Sequence, residues 1–153
     1  MKDSLTRQVR RVRVTDPVAA ARRYDYADAF EVRLHGPDPY TPEAWVRAGL
    51  DATPGWVDRV VGLLGFSEAP ESSADHVSGF RIVESGPEAV HLDTSLPLMH
   101  VVLVGRRVGP TRRTLTTLVR YERPVLSRLV FAIVGIGHRW AVPRVLTGKV
   151  PAG

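Results

Sequence analysis

Leu98-Met-His-Val-Val-Leu-Val-Gly-Arg-Arg-Val-Gly-Pro-Thr-Arg-Arg-Thr-Leu-Thr-Thr-Leu-Val-Arg-Tyr121 is the stretch that decides how this chain is read. At its centre, Val108-Gly109-Pro110 is turn chemistry, because glycine tolerates a positive φ and proline fixes its own φ without offering an N–H. The flanks, about 98–107 and 112–121, are rich in β-branched residues and predict two strands. So short a connection joins antiparallel neighbours. Ser85-Gly86-Pro87 repeats the turn signal upstream, between strands expected at about 77–85 and 88–95. Pro97 separates the middle pair and marks a bend or a very tight connection. Together these segments predict a four-stranded antiparallel meander.

Nearer the N-terminus, residues 26–34 read as a further strand, with Phe30, Val32 and Leu34 on one face and Glu31 and Arg33 on the other. His35-Gly-Pro-Asp-Pro39 ends it. Thr41 is a good helix N-cap and Pro42 suits the first helical position, so a helix follows to about Thr53. Pro54-Gly55 interrupts it. A second helix is expected at about 56–64, with Trp56, Val60, Leu63 and Leu64 at helical spacing and Gly65 at its C-terminal cap. Residues 67–75 form a polar loop. The last segment, about 124–147, reads as one long helix that is apolar over most of its circumference, with Pro143 weakening its last turn. Before all of this, Val9, Val12 and Val14 lie among arginines and read as a short edge strand or an unpaired arm. The domain organisation expected is a basic N-terminal arm, 1–23, and a single domain, 24–150.

The chain has 153 residues and no cysteine, which suits one domain and excludes disulfide frameworks, cysteine-held zinc and thiol catalysis. The formal charge of +5 invites a nucleic-acid reading. Its distribution argues otherwise. Residues 1–23 carry +5, residues 24–95 carry −9 and residues 96–153 carry +9. The body of the protein is therefore neutral, and acidic and basic segments are expected to neutralise each other across its surface. Arg106, Arg107, Arg112 and Arg113 flank one hairpin tip and need water, acidic neighbours or a bound anion to screen them. No apolar stretch long enough to span a bilayer is present, and the N-terminal region shows no secretory pattern, so a cytoplasmic location is expected.

The order strand, two short helices, antiparallel meander and final helix is that of the helix-grip fold, an α+β architecture in which a curved antiparallel sheet wraps around a long C-terminal helix and leaves a cavity. Asp25-Tyr-Ala-Asp-Ala-Phe30, Pro54-Gly-Trp56 with Leu63-Leu64-Gly65, His91-Leu-Asp93 and Phe131 through His138 also resemble motifs of the bacterial domain-of-unknown-function family DUF 2867. That family is related to the polyketide-cyclase and START-like superfamily. The resemblance spans about 25–147 and implies a ligand-binding cavity. The family often occurs fused behind a nicotinamide-dinucleotide-binding domain, whose Gly-x-Gly-x-x-Gly motif is not found here, and the chain departs from the family where Ser67–Asp75 is acidic and serine-rich in place of an arginine-rich stretch.

Residues able to move protons are few. His91 and Asp93 share a strand face, where a carboxylate orients an imidazole and raises its pKa. Val90 and Leu92 hold the opposite face, so His91 and Asp93 face either a cavity or the solvent. His100, on the next strand, can reach His91 or Asp93 if the register allows. Asp28 has the parity of Phe30 and needs donors, with Arg81 and Arg120 as candidates. Tyr121 shares a face with Leu115 and Val119. The candidate catalytic set is Asp28, His91, Asp93, His100 and Tyr121, and the cavity-lining set is Phe30, Trp56, Phe80, Leu129, Ile133 and Trp140. Ser95 lies outside both sets, with no feature that would activate it. No spacing typical of metal ligands occurs, and neither cofactor nor metal is expected.

The expected function is a small-molecule enzyme. It would hold a lipophilic or polyketide-like compound in an internal cavity and catalyse a cofactor-free cyclisation, isomerisation or dehydration by acid–base chemistry. The alternative is a non-catalytic carrier or sensor of a hydrophobic small molecule. A nucleic-acid partner is not expected, since no aromatic residues interleave the arginines of 7–13. Phe131, Val142 and Leu146 leave a second apolar contact to be covered by the arm, by the helical pair or by the partner in a homodimer.

Overall fold

A computed structural model of the chain describes residues 9–51, 74–77, 80–96, 99–122, 132, 139 and 142–147. The expected hairpin is present as two strands, which we label β6 (Met99–Arg107) and β7 (Arg112–Tyr121) from their place in the chain. Gly109 takes a φ of 74° at its tip, which a side chain would strain, and the Val108 N–H donates to the Arg112 carbonyl at 3.0 Å. The meander continues through β5 (Ala89–Leu96) and β4 (Phe80–Ser85) to the two-residue β3 (His76–Val77). On the other side of β7 lie β2 (Tyr26–Arg33) and then β1 (Val9–Val12). The order is β1-β2-β7-β6-β5-β4-β3, and every pairing is antiparallel. Of the two readings of Val9 to Val14, the edge strand is the one observed. Residues 9–23 also supply a short helix, α1 (Pro17–Ala20), so this part of the basic arm is built onto the sheet.

Alternation along the strands gives the sheet two faces with different covers. The first, here the helix face, carries Phe30, Val32, Val90, Leu92, Leu103 and Leu115. It is packed by α2 (Pro42–Asp51), whose start is capped as the sequence predicts, with the Ala44 N–H donating to Thr41 Oγ1 at 3.3 Å. Trp45 and Val46 are fully buried over Gly105. A Cβ on Gly105 would lie 2.6 Å from Val46 Cγ2 and 3.0 Å from Trp45 Cη2, so the missing side chain lets α2 sit this close. Gly49 does the same for the backbone of Val145, bringing helical residues 142–146 against α2 with Val142, Val145 and Leu146 buried. Each buried aliphatic or aromatic side chain contributes about 1.5–3 kcal/mol, so this layer is the larger of the two apolar clusters among the described residues in stabilising effect.

The architecture corrects the helix-grip expectation. The protein is an open, seven-stranded antiparallel sheet with three short helical segments, α1, α2 and 142–146, among the described residues. Within those residues no long C-terminal helix is wrapped by the sheet. The physical reason is occupancy: the middle of the face that a gripped helix would fill is taken by Trp45 and Val46 of α2. An apolar period in a helix shows that it is covered, without showing what covers it. The expected second helix at 56–64, with Trp56, and most of the expected helix at 124–147, with Leu129, Phe131, Ile133, His138 and Trp140, lie outside the described residues. Pro97 does too.

Charge is neutralised across segments as the sequence suggests. Arg113 is buried on the helix face and donates to Asp38 twice, at 2.6 and 2.9 Å, and to the Leu146 carbonyl at 3.1 Å. Its guanidinium also lies 5.3 Å from the centre of the Trp45 ring, a cation–π distance. Burial works against ionisation of Asp38, but the bonds from Arg113 and from the Tyr40 N–H outweigh it and hold its carboxyl below the usual 3.8. At the same hairpin, Arg106 binds Asp16, Arg107 donates to the Tyr40 carbonyl and Arg112 lies 3.8 Å from Glu31. Acidic and carbonyl neighbours thus screen all four arginines. Among the described residues, no helix is long and apolar enough to cross a membrane.

Candidate functional site

The second face of the sheet carries the odd positions of β2 and β5 and the even positions of β6 and β7. Its apolar part is small: Val102, Val104 and Leu118 under Ala19, with Val14, Val18 and Ala27 at the margin. A strap formed by residues 13–25 crosses it. One end is pinned by Asp16, which caps α1 through the Val18 N–H at 3.0 Å and accepts two bonds from Arg106, at 2.7 and 3.3 Å. The Arg106 guanidinium is held more firmly protonated by that hydrogen bond. The other end is pinned at Asp25, whose N–H donates to the Val119 carbonyl at 2.8 Å and whose carboxylate accepts the Tyr121 N–H at 2.7 Å. Between the pins stand Arg22, Arg23 and Tyr24.

A cleft of about 170 Å³ lies between the strap and the strands, lined by Arg22, Arg23, Tyr24, His100, Val102, Leu118 and Arg120. It shares Arg22, Arg23, Tyr24 and Arg120 with a wider, shallower depression of about 620 Å³ that runs on past Ala19, Ala20 and Asp25. His100 stands at one wall. Its Nδ1 is 3.1 Å from Ser95 Oγ, the residue directly opposite in the register, and its Nε2 is 3.8 Å from Asp93 Oδ2 on the diagonal. Asp93 also accepts from Arg81 at 3.3 and 3.4 Å. The array is Ser95, His100, Asp93, Arg81. If the serine hydroxyl donates to Nδ1, the Nε2 of the neutral ring carries the proton on the side of Asp93. A protonated ring is balanced by the same carboxylate.

His91 lies on this face as well, opposite Val104 and only 8% exposed, and its Nε2 has no hydrogen-bond partner among the described residues. Burial first, and then the charge of Arg22, pushes its pKa below the ordinary value of 6.5, against the pull of Asp93, Glu84 and Asp16. It is a neutral imidazole at pH 7.

The five candidate catalytic residues are therefore divided by the sheet. His91, Asp93 and His100 share the strap face, and the structure brings Asp93 and His100 together. Asp28 and the β7 position of Tyr121 belong to the helix face, so all five cannot act on one substrate. Asp28 is buried and accepts from the Tyr26 hydroxyl at 2.6 Å, rather than from Arg81 or Arg120. Burial and that bond push the Tyr26 phenol up to about 12. Beside them Thr117, paired with Asp28 in the register, is buried with its Oγ1 unpartnered among the described residues. Of the expected cavity-lining residues, Phe30 and Phe80 pack against the helix-face core, while Trp56, Leu129, Ile133 and Trp140 lie outside the described residues.

Arg22 and Arg23 line the cleft although the sequence places them in an arm, Tyr24 lines it from the first position of the expected domain, and Ser95 contacts His100 although no pattern marks it. Two local signals point to them. Asp16-Pro17 is an N-cap followed by proline, which marks a helix start inside the arm. The turn at Gly109 also sets Arg120 opposite His100, one step from Ser95.

No protein-family model matches the chain, and neither does any curated protein or solved structure. The resemblance to DUF 2867 thus rests on its short motifs alone.

Proposed function

We propose that the protein is a cofactor-free acid–base enzyme acting on a small molecule bound in the cleft beside His100. The observation that carries this reading is the placement of one imidazole between a hydroxyl and a carboxylate at the wall of a cleft. His100 is the group that takes and returns a proton, at Nδ1 when the Ser95 hydroxyl turns aside, with Nε2–H kept toward Asp93. Asp93 stabilises the imidazolium that forms, and Arg81 holds Asp93 in place. Ser95 fixes the ring orientation. Val102, Leu118 and Tyr24 give a carbon skeleton something to rest on. Abstraction of a proton beside a carbonyl and its return at another position constitutes an isomerisation, and its return to a leaving hydroxyl constitutes a dehydration. General acid–base catalysis of this kind is worth about 10²–10⁴-fold.

The test is hydrogen–deuterium exchange at the α-carbon of a panel of small carbonyl compounds, followed by NMR in D₂O. The expected result is exchange accelerated by the protein and lost in a folded His100→Gln variant. Equal exchange with and without His100 would sink the reading. A second reading, a non-catalytic carrier, draws on the fact that Arg81 already occupies Asp93. It predicts a compound that is bound and recovered unchanged from the same panel.

A further inference from the structure

We propose that the Arg22, Arg23 and Arg120 cleft is a carboxylate site, so that the substrate is a small acid with an apolar aromatic or alkyl body. This inference rests on the acid–base reading for His100 and supplies its substrate class. Among the described residues, no carboxylate lies within the 4.0 Å ion-pair distance of any of the three guanidiniums. Several arginines of the same sheet are matched, Arg10 with Glu31, Arg81 with Asp93, Arg106 with Asp16 and Arg113 with Asp38, and what sets the cleft apart is that three without an ion pair among the described residues meet at one concave surface. The nearest carboxylate along the strap, Asp25, is already used by the Tyr121 N–H.

Three like charges drawn to one concave surface repel each other, and a bound anion relieves that repulsion. Two features hold them there without one. The strap is pinned at Asp16 and at Asp25, and Arg120 is fixed by the β6–β7 register opposite His100. His91, kept neutral by burial and by Arg22, adds no further charge to the face. Guanidinium forks match a planar carboxylate in two parallel hydrogen bonds. Beyond them the cleft offers Tyr24, 44% exposed, as an aromatic wall above the nearly covered edges of Val102 and Leu118. An acid whose carboxylate meets the arginines lays its hydrocarbon part on these residues, next to His100. A bare phosphate gains nothing from them, which is why a carboxylate fits the cleft better.

The experiment is isothermal titration calorimetry with benzoate, and separately with inorganic phosphate, at low salt. It uses the wild-type chain, Arg120→Gln, the double variant Arg22→Gln/Arg23→Gln, and Arg33→Gln as an exposed arginine outside the cleft. Benzoate is expected to bind more tightly than phosphate. Arg120→Gln and the double variant are expected to weaken benzoate by about tenfold or more, the size of one lost charge-assisted hydrogen bond, with Arg33→Gln unchanged. Circular dichroism checks that each variant is folded. Unchanged affinity in a folded Arg120→Gln overturns the site, as does an equal loss in Arg33→Gln. Tighter binding of phosphate, or binding of a single-stranded oligonucleotide in place of benzoate, overturns the carboxylate assignment. His100→Gln separates the two proposals, since it is expected to keep benzoate binding while losing exchange. Exchange that depends on His100 without arginine-dependent binding removes the carboxylate site alone. Arginine-dependent binding without exchange removes the catalytic reading alone.

Discussion

The two faces of the sheet are made from the same strands, yet the core of one and the cleft on the other treat arginine charge in opposite ways. On the helix face, Arg113 is buried under α2, and Asp38 meets it through two hydrogen bonds while Trp45 lies within cation–π distance. That guanidinium is matched and buried. On the strap face, three arginines stand at an open cleft with no carboxylate in ion-pair range among the described residues. A charge that is matched and dry holds a fold together, and breaking it is costly. Charges that are unmatched and wet contribute little to stability and are available to a binding partner. On the proposal made above, the helix face is the structural side and the strap face the side that meets ligands.

The largest effect expected from breaking this contrast is at the buried pair. Asp38→Ala leaves the Arg113 charge without its carboxylate, and a loss of about 3–5 kcal/mol in urea unfolding is expected. A loss below about 1 kcal/mol, the ceiling for an exposed pair, would place Arg113 on the same footing as the cleft arginines. Next comes Gly105→Ala, whose Cβ runs into Val46 and Trp45. Overpacking of this kind costs about 1–3 kcal/mol, seen as a lower melting temperature, and should leave benzoate binding intact in the folded fraction. On the strap face, Asp16→Ala removes the α1 cap and the anchor on Arg106. It should cost only about 1–2 kcal/mol but weaken benzoate binding by loosening Arg22 and Arg23. A variant that binds as well as the wild type would show that the strap needs no pin at Asp16.

The smallest effect is in pH, and it separates the faces by where it falls. His91 has a folded pKa below 6.5, so the unfolded chain binds the proton more readily, and stability drops as pH falls through 6.5 toward the folded value. Asp38 also has a lowered folded pKa, but its contribution is present above 3.8 and is lost only as pH falls below that. Urea midpoints measured from pH 7.5 to pH 3 should therefore fall in two stages. His91→Gln should flatten the first stage and leave the second. A first stage that survives in His91→Gln would assign it to another group.

Much of the sheet is legible in the sequence alone. The strand expected at 112–121 is Arg112–Tyr121, and that expected at 98–107 is Met99–Arg107, because turn chemistry at Gly109 and β-branched content are local properties. Parity is legible too: Val90 and Leu92 are fully buried, while His91 and Asp93 take the other face. The approach of His100 to Asp93 is conditional on the register, which the folded sheet supplies. The carboxylate cleft is not legible at all. Arg22 and Arg120 are far apart in the chain, and no period links them.

Local chemistry along the chain is enough to set most of the strands, the turns at Gly86 and Gly109, the capped helix at Thr41 and the parity of residues along a strand, since these depend on neighbours a few positions away, whereas the strand expected at about 77–85 is divided into β3 and β4. What covers each face is a matter of tertiary packing. Packing put α2 where a gripped helix was expected, because Gly105 and Gly49 allow a closeness that no apolar pattern announces. It also laid the basic arm across the other face, where Asp16 and Asp25 find partners on β6 and β7. Such contacts join distant segments, and their free energy exists only once both segments are in place.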